Sequence, residues 1–147
     1  MSLSQFEEEW DSLKKSGEHG TFDYSDSSAS VRAIIKSHFD SSQRLKKYGV
    51  YVVRQQTTSE VLYVGKSGTI DRRGNFKGQD IPARMQNVKG EVTSSQWFKS
   101  LVKEKGPLVI EYVLLETVPK SPAFVEASLI QAYLNEHGCL PYRNKAF

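Results

Sequence analysis

Tyr48-Gly-Val-Tyr-Val-Val-Arg54 and Val61-Leu-Tyr-Val-Gly-Lys66 are two β-rich runs, separated by the polar stretch Gln55-Gln-Thr-Thr-Ser-Glu60. Branched and aromatic residues flanking a short polar segment are a hairpin pattern. The triplet Gly49-Val50-Tyr51 is mirrored by Tyr63-Val64-Gly65. Symmetric pairing predicts Tyr51 opposite Tyr63 and Gly49 opposite Gly65, with the loop over residues 55–59. Side chains alternate faces along a strand, so both phenols share one face. Opposed glycines weaken a sheet and mark close approach by another group. The hairpin alone fits two readings: phenols beside a backbone-lined dent, or a core tyrosine pair with incidental glycines.

Other elements follow outward from this hairpin. Upstream, Ser4-Gln5-Phe6-Glu7 has the capping-box pattern and opens a short helix. The Gly-, Ser- and Asp-rich stretch 16–30 reads as a loop. Ser30 caps a second helix whose apolar stripe is Val31, Ile34, Ile35 and Phe39. The basic residues Arg44, Lys46 and Lys47 follow it. Downstream, residues 66–79 read as a loop and 80–89 as a short helix. A longer helix runs from Ser94 or Ser95 to Lys105, stopped by Gly106-Pro107. Leu108 to Glu116 is a strand. The last helix starts at Ser121-Pro122 and ends at Gly138. The order αα-ββ-αα-β-α predicts an α+β fold: a small, three-stranded, mostly antiparallel sheet flanked by helices. Residues 1–47 form an N-terminal helical extension, and 48–147 the main domain.

Composition narrows the function classes. One cysteine, Cys139, excludes an intrachain disulfide and fits a cytoplasmic, reducing environment. No apolar run approaches a membrane span, and no signal-peptide pattern opens the chain. Residues 1–28 hold seven acids and two lysines, leaving 18 Lys/Arg against 10 Asp/Glu in 29–147. That balance of +8 suits a polyanion such as nucleic acid, and equally an ordinary basic surface. No zinc-ligand spacing, P-loop or dinucleotide-binding glycine motif is present. Cys139 lacks the His/Asn pattern of a thiol nucleophile. His19, His38 and His137 read as surface or structural residues.

Glu126 heads an apolar stripe of Leu129, Ile130 and Tyr133. A carboxylate there is costly unless it is paired or binds a cation, and Mg²⁺ takes few protein carboxylates. The alternative is a Glu that edges into solvent or meets a nearby Arg or Lys.

Gly49-Val50-Tyr51, eleven residues, then Tyr63-Val64-Gly65 resembles the signature of the GIY-YIG nucleases, with valine for isoleucine in both triplets. Three further elements follow in the family's order. Arg84 lies on the helix after the hairpin, Glu126 on the last helix, and Asn144 in Leu140-Pro141-Tyr142-Arg143-Asn144. Val88 departs from the polar residue that the family often has one turn after the arginine. The resemblance spans residues 48–145. It implies a DNA endonuclease that hydrolyses phosphodiester bonds with a single Mg²⁺ (or Mn²⁺). Tyr51 is then the general base and Tyr63 a hydrogen-bonding partner. Arg84 stabilises the phosphate, Glu126 holds the metal, and Asn144 is a support. Gly49, Gly65, Lys66, Arg72 and Arg73 complete the candidate DNA-contacting set. A homodimer or a further protein partner stays open, as do restriction, mobile-element and repair roles. Two other classes compete: a non-catalytic nucleic-acid-binding module that keeps the fold, and a structural α+β domain.

Overall fold

The computed structural model describes residues 4–25, 30–39, 48–86, 93–116, 118 and 120–147. The element order is α1 (Gln5–Ser16), β1 (His19–Tyr24), α2 (Val31–Phe39), β2 (Gly49–Gln55), β3 (Val61–Ser67), β4 (Thr69–Ile70), β5 (Phe76–Lys77), α3 (Ile81–Gln86), α4 (Ser94–Lys105), β6 (Leu108–Leu114) and α5 (Pro122–His137). The basic stretch with Arg44, Lys46 and Lys47, and Val88, lie outside the described residues.

The fold is α+β with antiparallel strand pairing, but the main sheet has four strands rather than three, in the order β1-β6-β2-β3. The added strand, β1, lies inside the stretch that reads as a loop. Its even positions alternate inward, with Phe22 and Tyr24 buried between exposed neighbours. That period of two outweighs the loop-like composition around it. Residues 66–79 likewise contain a small hairpin, β4 paired with β5.

Helix ends follow local chemistry. Ser4 Oγ accepts from the Glu7 N–H, Ser30 Oγ from Ala33 and Ser121 Oγ from Phe124, each satisfying a first-turn donor. Thr93 and Gln96 form a reciprocal capping box on α4. α5 ends at Gly138 in the left-handed conformation.

The sheet separates two cores. On one face, Tyr51, Val53, Ile110 and Tyr112 pack with Phe22 and Tyr24 of β1, Ile35 of α2, Met85 of α3 and Phe98 of α4. On the other, Val50, Val52, Val64 and Val113 pack with Trp10 of α1 and Leu129 of α5. The N-terminal extension therefore contributes a strand and residues to both cores.

The β2–β3 register corrects the symmetric expectation. Tyr51 faces Gly65, Gly49 faces Ser67 and Val53 faces Tyr63. Arg54 then faces Val61, so Leu62 is an extra residue on β3, a β-bulge. The shift by two preserves the faces but makes the two tyrosines diagonal rather than opposite. The two glycines meet different neighbours. A Cβ on Gly49 would lie 2.0 Å from the Val113 carbonyl oxygen of β6, and one on Gly65 would lie 2.5 Å from the Tyr51 ring.

Candidate active site

β3 is an edge strand, and its edge is divided in two. Over residues 62–64 the C-terminal segment lies against it. The Arg143 N–H donates to the Leu62 carbonyl at 2.8 Å. Asn144 forms a two-pronged clamp on Val64, accepting its N–H and donating to its carbonyl, both at 2.9 Å. Beyond Val64 the edge opens into a cleft of about 430 Å³ lined by Tyr63, Lys66, Ser67, Gly68, Thr69, Gly78, Gln79, Arg84 and Glu126. Arg84 reaches it from α3, on one face of the sheet. Glu126 reaches it from α5, on the other. The cleft thus sits where both helical layers meet the sheet edge.

Among the residues singled out in the sequence, Tyr63, Lys66, Arg84 and Glu126 line this cleft. Tyr51 lies directly behind it, fully buried, with its ring 5.9 Å from that of Tyr63. Asn144 is not on the cleft wall; its clamp fixes the backbone between Tyr63 and Gly65. Gly65 is flat beneath the Tyr51 ring, and Gly49 is sealed between β2 and β6. Arg72 and Arg73 stand on the exposed β4–β5 turn, off the cleft wall. Sequence reasoning missed Ser67, Gly68, Thr69, Gly78 and Gln79. Gly68 and Gly78 have φ of 85° and 89°, so the wall needs residues that tolerate the left-handed region.

The electrostatics are unusual for so open a site. Burial pushes the Glu126 carboxyl above the ordinary glutamate range, while the Lys66 and Arg84 charges pull it back down. Among the described residues, none of these three side chains makes an ion pair within 4.0 Å. The cleft therefore presents two cations and one carboxylate that are not spent on each other. Burial pushes the Tyr51 phenol well above its ordinary value, and Tyr63 adds to the effect. Burial also raises Tyr63, as does Glu126, whereas Arg84 lowers it. A hydrogen bond joins the two phenols. Tyr63 also packs edge-on against Trp97, with ring centroids 5.1 Å apart.

Comparison with protein-family models, with curated proteins and with solved structures found no match.

The donor set constrains how a metal could sit. Among the described residues no group of three or more His, Cys, Asp or Glu is placed to cage an ion. Glu126 is the one carboxylate on the cleft wall. A single carboxylate fits Mg²⁺ or Mn²⁺ bound jointly by protein, water and a substrate's phosphate oxygens, the usual mode for Mg²⁺. No helix among the described residues is long and apolar enough to cross a membrane.

Gly65 gives a direct test of the geometry. Gly65→Ala puts a methyl group where the fully buried Tyr51 phenol lies, so the ring must shift. We expect about 1–3 kcal/mol of lost stability by thermal melting, as for other overpacked cores.

Proposed function

We propose that the chain is a Mg²⁺- or Mn²⁺-dependent DNA endonuclease of the GIY-YIG type that hydrolyses phosphodiester bonds with one metal ion. The observation that carries this reading is the convergence on one cleft of Tyr63, Lys66, Arg84 and Glu126, with Tyr51 hydrogen-bonded behind Tyr63. These residues come from β2, β3, α3 and α5. A structural domain has no need to hold two cations and a partly buried carboxylate around an open cleft without pairing them.

Each residue has a task in the hydrolysis. A water oxygen attacks phosphorus, the bond to the 3′ oxygen breaks, and the products carry a 5′ phosphate and a 3′ hydroxyl. Lys66 and Arg84 draw the phosphate into the cleft, and the Arg84 fork stabilises the extra negative charge of the transition state. Glu126 holds the metal, which when bound supplies Lewis-acid stabilisation of the phosphate and the leaving oxygen. The phenol pair takes the water's proton as a phenolate, one hydroxyl proton having first passed to solvent. Tyr51 is the base that the resemblance implies, yet it is fully buried, its phenol is pushed well above its ordinary value, and it is hydrogen-bonded to Tyr63. The two hydroxyls therefore act together, with Tyr63 facing the water and Tyr51 supporting negative charge on it. A phenol whose pKa lies above 10 needs the cleft's positive charge before it can accept a proton. Asn144 holds the β3 edge that carries Tyr63.

The test is cleavage of supercoiled DNA by the wild-type chain. Nicking with Mg²⁺ and none with EDTA supports the reading, and end-labelling should find 5′ phosphates at the nicks. DNA binding with no cleavage under either condition would favour a non-catalytic nucleic-acid-binding module.

A further inference from the structure

The β4–β5 hairpin grows directly from the cleft wall. Its base residues Gly68, Thr69 and Gly78 line the cleft, and its tip does not. Over residues 69–78 there are three basic side chains, Arg72, Arg73 and Lys77, against the single acid Asp71. All three basic residues are exposed. None makes an ion pair within 4.0 Å among the described residues.

The hairpin is built to hold its shape. At the tip, Asp71 Oδ1 accepts from the Arg73 N–H at 2.9 Å and the Asn75 N–H at 3.0 Å. The Asp71 N–H donates to the Asn75 carbonyl, and the Gly74 N–H to the Asp71 carbonyl, both at 2.9 Å. Gly74 takes φ of 84° to close this turn. At the base, the Phe76 ring stacks on the buried Tyr48 ring at 5.5 Å and 12°. The Tyr48 hydroxyl donates to the Gly78 carbonyl at 3.2 Å. An arm locked at both ends loses little conformational freedom when it binds.

We infer that this hairpin is a preformed cationic arm that grips the sugar-phosphate backbone of duplex DNA across a groove from the phosphate held in the cleft. The inference rests on the nuclease reading of the cleft and specifies its substrate as double-stranded. From Thr69 to the tip arginines the chain advances three to four residues, a reach of about 10–13 Å at strand rise. That reach is comparable to the ~12 Å width of the B-DNA major groove. A phosphate bound between Lys66 and Arg84 then leaves the tip arginines, Arg72 and Arg73, beside the opposite strand, while Lys77, paired with Thr69, stays at the base. A single strand has no backbone there to meet. The arm's charges read no base, so they set orientation and substrate length rather than sequence.

Salt dependence of binding tests this. Affinity for a blunt duplex several helical turns long is measured over a series of salt concentrations, with EDTA to prevent cleavage. The same is done for one of its strands alone. The wild type is compared with the double variant Arg72→Ala/Arg73→Ala and with Gly74→Val, which keeps every charge but strains the turn. The double variant should reduce the slope of log K against log salt by about 2 on the duplex, since each lost phosphate contact removes about 0.9. On the single strand its slope should stay at the wild-type value. Gly74→Val should weaken duplex binding several-fold with its slope intact. A double variant with the wild-type duplex slope overturns the arm, as does an equal loss of slope on the single strand. In either case the nuclease reading survives if wild type still nicks plasmid with Mg²⁺. If wild type neither binds nor cuts DNA, both fall together.

Discussion

Replacing Arg54 by alanine should destabilise the fold by about 3–5 kcal/mol, the usual result of removing one partner from a buried ion pair. Arg54 is 8% exposed, in the middle of the sheet. Its guanidinium is bidentate to Glu7 of α1, at 2.7 and 2.8 Å, and donates to Glu111 of β6 at 2.6 Å. Trp10 donates to the same Glu111 oxygen at 3.0 Å, and Lys14 stands 3.6 Å from its other oxygen. This network is what ties α1 to the sheet. Burial disfavours charge on Arg54, but its hydrogen bonds to Glu7 and Glu111 and their negative charges outweigh it. Removing the arginine leaves two half-buried carboxylates facing each other's former partner. At about 2–4 °C per kcal/mol for a chain of this size, melting should fall by roughly 6–20 °C. A loss under about 1 kcal/mol would show that the network behaves as a surface pair. Burial raises the Glu111 carboxyl, yet the Arg54 hydrogen bond and charge bring it below its ordinary value of 4.5. Its contribution to stability is therefore full above that pH and is lost as acid takes the pH below it.

Tyr51→Phe and Tyr63→Phe should each lower kcat by about 10²–10⁴, the range for loss of a positioned proton-transfer group. The two changes should not multiply. If the hydroxyls act as one unit, the double variant falls no further than the worse single variant, as for other catalytic groups that work together. kcat and kcat/KM should fall equally, because the lost interaction belongs to the transition state. Tyr51→Phe removes the hydroxyl behind Tyr63 and keeps the ring that covers Gly65. Tyr63→Phe removes the hydrogen-bond partner of the Tyr51 hydroxyl, which adds a stability cost of about 1–3 kcal/mol if that buried hydroxyl is left unpaired. Single-turnover cleavage by the three variants decides the matter. Multiplicative losses would mean the phenols act separately.

How legible each part was depended on the range of the forces involved. The β2–β3 hairpin, α2, α4 and α5 are local objects, announced by Ser30, by Gly106-Pro107, and by Ser121-Pro122 with Gly138. Of the nine residues that line the cleft, Tyr63, Lys66, Arg84 and Glu126 were legible through the order of motifs along the chain, and the other five were not. The hairpin register was not legible, because nothing in Val61-Leu62-Tyr63 marks Leu62 as a bulge. β1 was hidden by its Gly- and Ser-rich surroundings, though the alternation of Gly20, Phe22 and Tyr24 carries the strand period. There the pairing with β6 places Gly20 under the Tyr112 ring, with a Cβ on Gly20 falling 2.3 Å from the Tyr112 hydroxyl oxygen. β4 and β5 are two residues each, too short for any periodicity, and only the turn chemistry of Asp71 and Gly74 betrays them. The Arg54 network lies beyond sequence reading altogether, because Glu7 and Glu111 are 47 and 57 residues away.

The central claim is that Glu126 makes this cleft a metal-dependent cutting site. The most direct measurement incubates supercoiled plasmid with wild type and with Glu126→Ala, each with Mg²⁺ and with EDTA, beside a gel-shift assay of both proteins. The account predicts nicked or linear DNA from wild type with Mg²⁺ alone, and a Glu126→Ala protein that folds and binds DNA but does not cut. Cleavage by Glu126→Ala at the wild-type rate would contradict it.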